Sequence, residues 1–274
     1  MQASITAGIA TNLLLGAALF VVPFRGVPKW RRGAFSGCLA AAAAVFLLPQ
    51  WNPQVMSSGA AIYAMDYLPV VSDGKVTSVL GEREVIFYRD GPSATVAVIR
   101  SGERSVLTVN GKVDASNTPG DMPTQIMLGH LPLLIHRDPR DVLVIGLGSG
   151  ITAGAVARHP VGRLDIVEIE PAVVEASHFF TSENNNVLRD PRVRLIVADA
   201  RNFLLTAPGS YDVITSEPSN PWISGVAALF SREFFELARN RLTRSVMSST
   251  VPICEKPPLA TSARTVARPE RASP

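Results

Sequence analysis

Residues 141–150 read DVLVIGLGSG, 167–171 VEIEP, 197–203 VADARNF and 211–222 YDVITSEPSNPW, and these four stretches decide the fold. Each is an apolar run that closes on glycines or on an acid. Short branched runs bounded by such breakers predict buried strands, over Val142–Leu147, Leu164–Ile169, Val193–Ala198 and Tyr211–Ser216. Between and after them, 148–159, 171–180 and 231–242 read as helical, the second opening with Pro171 at the first helical position. Alternation of this kind predicts an α/β fold with a parallel sheet and right-handed crossovers. In an open sheet of that type, ligands bind in the crevice beyond the carboxyl ends of the strands.

The residues at those ends point to a nucleoside. Gly146, Gly148 and Gly150 let the backbone turn tightly and approach a ligand, with the next helix aimed at the same place. The dinucleotide fingerprint needs a glycine three places after its second one, and Ile151 stands there, which disfavours NAD and FAD. Glu168 ends the neighbouring strand 20 residues after Gly148, where a carboxylate can accept from both ribose hydroxyls. Asp199 ends the third strand, within reach of an exocyclic adenine amine.

Outward from this core the pattern changes. EVIFYRD (84–90), ATVAVIR (94–100) and SVLTVNG (105–111) are alternating strands separated by strong turn formers, so 60–120 reads as a small antiparallel β-domain. Gln125–Ile135 is an apolar helical lead-in to a nucleoside-binding region over 121–245. Residues 246–274 are a Pro, Ser, Arg and Ala mixture that predicts disorder.

At the amino end, residues 1–50 carry hydrophobic helices, and the first acid of the chain is Asp66. Ala7–Phe24 is apolar for 18 residues and predicts a transmembrane helix, since a bilayer core of about 30 Å needs roughly that length. Ala34–Pro49 is shorter and could span, lie at the interface or be a buried helix. No basic residue precedes the first segment, which is the wrong order for a cleaved signal peptide. Arg25, Lys29, Arg31 and Arg32 form a basic loop that favours the cytoplasmic side. The side on which the remainder lies then depends on whether the second segment spans.

The net charge of +3 does not mark a nucleic-acid partner, because the basic excess sits in that loop and after residue 240, leaving the middle of the chain negative. Cys38 and Cys254 are too few and too scattered for a disulfide framework or a zinc site. His130, His136, His159 and His178 show no metal spacing, and no metal is expected.

With GLGSG, VEIEP, DARNFL, SEPSNPW and the LGHLPLLIH lead-in at 128–136 in place, Tyr63–Leu242 resembles the spermidine synthase (polyamine aminopropyltransferase) family. With its hydrophobic preface it resembles the bacterial membrane-fused type. The resemblance implies a methyltransferase-like Rossmann sheet, incomplete at its carboxyl end because four strands are clear where seven are usual. An open strand edge would invite a partner or a homo-oligomer. It also implies a bacterial inner-membrane location, with the side of the catalytic domain left open.

The implied substrates are decarboxylated S-adenosylmethionine, or S-adenosylmethionine itself, and a small-molecule amine. Gly146, Gly148, Ser149, Gly150, Glu168, Asp199 and Ala200 would hold the nucleoside. Glu217 would accept the amine's proton, with Asn220 and Gln125 orienting the nucleophile and Trp222 closing over it. The chain also departs from the family: Ser149 replaces an aspartate that holds the donor's amine, Glu217 a catalytic aspartate, Asn220 a second acid and Thr124 a tyrosine. A dication site without carboxylates leaves the cation's desolvation poorly compensated. Three readings follow: an aminopropyltransferase, an S-adenosylmethionine-dependent methyltransferase, and a catalytically inactive nucleoside-binding module.

Overall fold

In this computed structural model, residues 2–21, 30–47, 52–60, 62–65, 83–217, 221 and 226–243 are described. The tail expected over 246–274, and the candidate residues Asn220 and Trp222, lie outside them.

Two helices, α1 (Gln2–Val21) and α2 (Trp30–Val45), pack on each other, and a short α3 (Pro53–Met56) is capped by Asn52. Among the described residues no helix is long and apolar enough to cross a membrane, so the transmembrane expectation for Ala7–Phe24 is not met there. The described part of that helix carries Thr11 and Asn12 on its first half, and residues 22–29 lie outside the described set.

Strands β1 (Glu84–Asp90), β2 (Thr95–Ser101), β3 (Arg104–Val109) and β4 (Lys112–Ser116) form an antiparallel sheet in chain order. The sequence pattern supplied three of these and missed β4, whose KVDAS alternates but is short and carries only Val113 and Ala115 as apolar residues. What makes β4 a strand is the turn before it. Asn110 and Gly111 both have positive φ (52° and 77°), the two-residue turn that returns a chain antiparallel onto itself, and Val109 pairs with Lys112 across it.

Helix α4 (Met122–Ile135) leads into the second sheet, built of β5 (Asp141–Ile145), β6 (Arg163–Glu168), β7 (Val193–Val197) and β8 (Val213–Ser216). All of its pairings are parallel, and the order is β7-β6-β5-β8. Helices α5 (Ile151–Ala157), α6 (Pro171–Ala176), α7 (Ala200–Thr206) and α8 (Arg232–Asn240) follow the successive strands. The four strands and the helices α5, α6 and α8 fall where the sequence pattern predicts, with ends shifted by one to four residues, whereas α7, which Asp199 caps, was not predicted.

Alternation along the strands sorts the core into two layers. Val142, Val144, Leu164, Ile166 and Val213 face one way, toward Leu133, Val156 and Phe180. Leu143, Ile145, Val167 and Ile214 face the other, toward Leu204, Tyr211, Phe234 and Ala238. The first layer also takes in Val96, Val98 and Leu107 of the antiparallel sheet, so one apolar body runs through both sheets. At about 25 cal/mol per Å² of apolar area, side chains buried this fully dominate the folding energy.

Candidate active site

The chain leaves β5 for β6, then β7, and returns to lay β8 on the opposite side of β5. The strand order therefore reverses between β5 and β8, which opens a crevice at their carboxyl ends. The loop Gly146–Gly150 follows β5 and Glu217 follows β8, so both stand at that reversal. They are close: a Cβ on Gly146 would lie 3.4 Å from the Glu217 carbonyl oxygen.

Gly146, Gly148 and Gly150 have φ of 87°, 52° and 80°, a region that L side chains rarely adopt. The resulting turn brings the Leu147 amide onto Glu168. Leu147 N donates to Glu168 Oε2 at 2.9 Å and Glu170 N to Oε1 at 2.9 Å. A carboxylate offers about four acceptor positions, so these amides leave room for a further donor such as a ribose hydroxyl. Glu168 is 7 % exposed. Its burial pushes its pKa above the usual carboxylate value, the nearby Asp114 charge adds to that, and the backbone amides oppose it.

Glu168 pairs in register with Val197, so Asp199 stands two residues beyond the same level of the sheet. It caps α7, with Oδ1 accepting from Asn202 N at 2.8 Å, and Ala200 is buried at the helix's first position. Its second oxygen is therefore the one open to a ligand.

Beneath the glycine loop lies a neutral, buried hydrogen-bond chain. Ser149 Oγ donates to Gln125 Oε1 at 2.6 Å, and Gln125 Nε2 donates to the Ser116 carbonyl at 2.8 Å. Ser149 and Gln125 are almost fully enclosed. Thr152 Oγ1 is 3.0 Å from the Gln125 carbonyl and 2.8 Å from Glu217 Oε2. Its one hydrogen serves one of these acceptors at a time, which links α4, α5 and the end of β8 through a single hydroxyl. The structure thus brings Gln125, Ser149 and Glu217 to one side of the loop and Glu168 to the other, with Asp199 past the neighbouring strand.

Several residues of this region have no role in the sequence reading. Thr152 is one. Another is Glu170, whose Oε2 accepts from Ser93 N (2.8 Å) and Ala94 N (3.0 Å) while Oε1 accepts from Ala172 N (3.0 Å). That carboxylate ties the β1–β2 turn to the start of α6, and Gly91 has no side chain because a Cβ there would lie 1.9 Å from Glu170 Oε1. His130 and His159 meet at 2.8 Å through their ring nitrogens, so at least one is neutral. Burial and the neighbouring His130 lower the pKa of His159. No group of three or more His, Cys, Asp or Glu side chains that could hold a metal occurs among the described residues.

The chain is similar to known proteins in sequence and in fold. The chain is 34% identical over 152 residues to a polyamine aminopropyltransferase of Archaeoglobus fulgidus, covering 55% of each protein. It is 37% identical over 139 residues to putrescine N-methyltransferase 1 of Nicotiana tabacum, covering 50% of this chain and 36% of that one. The chain thus spans about half the length of the first relative and about a third of the second. A crystal structure of spermidine synthase in complex with the transition-state analogue AdoDATO has the same fold, with a TM-score of 0.54 and 23% identity over 58% of this chain and 55% of that one. Residues 122–259 match the spermine/spermidine synthase domain, and with half of its length in that match the chain belongs to the spermidine synthase family.

Proposed function

We propose that this chain binds an adenosyl sulfonium donor in the crevice beyond the carboxyl ends of β5, β6 and β8 and transfers its aminopropyl group to a small amine, the aminopropyltransferase reaction of polyamine biosynthesis. The observation that carries the reading is Glu168: a buried carboxylate at the strand end, oriented by the Leu147 and Glu170 amides and facing the glycine turn. Family membership and the aminopropyltransferase relative support it.

The chemistry is a direct displacement. The neutral nitrogen of the acceptor attacks the carbon next to the sulfonium, the C–S bond breaks with its electrons going to sulfur, and methylthioadenosine leaves. The new ammonium then releases a proton. Glu217 is the acceptor for it, at the end of β8 and in contact with Thr152. Gln125, held by Ser149 and Ser116, shapes the wall beside it. Asn220, as a group orienting the amine, and Trp222, as one closing over it, are assigned by the family resemblance in this proposal. Positioning alone supplies much of the acceleration of such a two-reactant step.

A second reading rests on the Ser149–Gln125 pair. A floor made of a hydroxyl and an amide presents no negative charge to a donor tail that bears only an ammonium, whereas a tail with both ammonium and carboxylate needs no net charge there. Methyl transfer from ordinary S-adenosylmethionine fits that floor, and the putrescine N-methyltransferase relative supports it. Calorimetric titration with the two donors separates the readings. Tighter binding of the decarboxylated form with aminopropylated product establishes the first. Tighter binding of the carboxylated form with methylated product establishes the second, and failure to bind either donor or methylthioadenosine overturns both.

A further inference from the structure

The three positive-φ glycines explain how the loop after β5 can turn, and Gly150 N, donating to the Leu147 carbonyl at 2.8 Å, closes it, which leaves open what holds the carbonyl end of the Ser149–Gly150 peptide. A backbone with so few Cβ atoms has little steric barrier to rotation of a peptide plane. Its orientation must come from hydrogen bonds. On one side Ser149 is held by its hydroxyl, which donates to Gln125 and accepts from Ile151 N at 3.3 Å. On the other side its carbonyl oxygen accepts from Asn184 Nδ2 at 2.8 Å.

Asn184 is itself built in. It is 3 % exposed, its Nδ2 also donates to the Ser177 carbonyl at 3.0 Å, and its Oδ1 accepts from Asn186 N at 2.9 Å. All of its side-chain polar atoms are thus used, in a turn where Asn185 and Asn186 take φ of 56° and 52°. The run Asn184–Asn186 divides into two roles: two residues that tolerate the left-handed region, and one that turns inward. Helix α5 rests against the same residue, because a Cβ on Gly154 would lie 2.4 Å from the Asn184 carbonyl and a Cβ on Gly150 3.0 Å from its Nδ2.

We infer that Asn184 is the positioning residue of the glycine loop, fixing the Ser149–Gly150 peptide so that the loop keeps the shape that places Leu147 on Glu168. The inference rests on reading the loop as a nucleoside site, but the loop's rigidity can be measured without any nucleoside. The amide donates to Ser149, and a carboxylate of the same shape cannot. In Asn184→Asp at neutral pH an acceptor faces two carbonyls. When the introduced carboxyl takes up a proton it regains one donor, and burial between carbonyls makes it do so well above the ordinary aspartate range.

The test is hydrogen exchange of residues 147–151, compared with the unaltered protein at each pH, alongside binding of methylthioadenosine. For Asn184→Asp we expect protection of the loop to fall by about tenfold near pH 7.5, the scale of one hydrogen bond, and to recover near pH 5. Nucleoside affinity should follow the same course, measured as a ratio to the unaltered protein. Asn184→Ser, too short to reach Ser149, should lose protection at both pH values and show no recovery. If both variants keep the loop as protected as the unaltered protein, or if Asn184→Asp loosens without recovery at low pH, the inference is overturned. If the loop responds as described while the unaltered protein binds no nucleoside, the positioning role stands and the proposed function fails.

Discussion

Glu168 faces two opposed demands. Ribose recognition needs the ionised form, while burial favours the protonated one. Because its folded-state pKa is raised, the stability it contributes is fully present below the unfolded value and is lost as pH rises through the folded one. Titrating thermal stability against pH should therefore show the unaltered protein losing ground to Glu168→Gln as pH climbs from about 4.5. Methylthioadenosine affinity should run the other way, weakening as the solution is acidified through that same window. If Glu168 holds the ribose as proposed, Glu168→Ala should lower methylthioadenosine affinity by about a hundredfold or more in calorimetry, the scale of two charge-assisted bonds. For Thr152 the expectation is a kinetic split: Thr152→Val lowers kcat by about tenfold with donor KM little changed, and Thr152→Ser restores it. An equal loss in both parameters would remove Thr152 from the Glu217 contact. Of these residues, Glu168 was legible in the sequence because an acid at a strand end after a glycine turn is a spacing pattern. Thr152 was not, since a threonine within a helix looks like any other until its partner from 65 residues away is known.

Helices α4 and α5 cross with almost no side-chain clearance. A Cβ on Gly129 would lie 2.6 Å from both the Thr152 carbonyl oxygen and Ala155 Cβ. Gly129→Ala should destabilise the protein by about 1–3 kcal/mol, the usual scale of overpacking, visible as a lower denaturation midpoint. It should also raise donor KM, because the displaced α5 follows directly on the Gly146–Gly150 loop. The parallel strands were readable because branched runs closed by glycine or acid have few other structural meanings. Strand β4 was hidden by its polar composition, and the Asn-Gly turn that makes it pair was read only as an ending. Helix α4 extends three residues before Gln125, through Pro123 near its start, where a proline costs no hydrogen bond.

At the scale of the whole molecule the two sheets are joined by Glu170 and by a common apolar body. Glu170→Ala would leave the Ser93, Ala94 and Ala172 amides without their carboxylate. Ala94 and Ala172 are buried, and an unsatisfied buried amide costs about 1–3 kcal/mol, so the variant should lose several kcal/mol and become sensitive to proteolysis first in 83–116. Cleavage beginning elsewhere would show that Glu170 is not the tie. None of this joining was visible in the sequence, which presents the β-strands of 60–120 and the α/β segment of 121–245 as successive regions with a break between them. Residues that close such a break lie far apart in the chain, and only the folded arrangement pairs them.

The apolar body shared by Val96, Val98 and Leu107 with Val142, Val144 and Ile166 makes the antiparallel layer a poor candidate for exchange between relatives. A graft that swaps residues 83–116 for another protein's hairpins would bring a foreign face against an inherited one. Such chimaeras should be recovered in soluble form only when the resident partners on α6 and β6 are swapped with them, so the two sheets have to evolve as one inheritance.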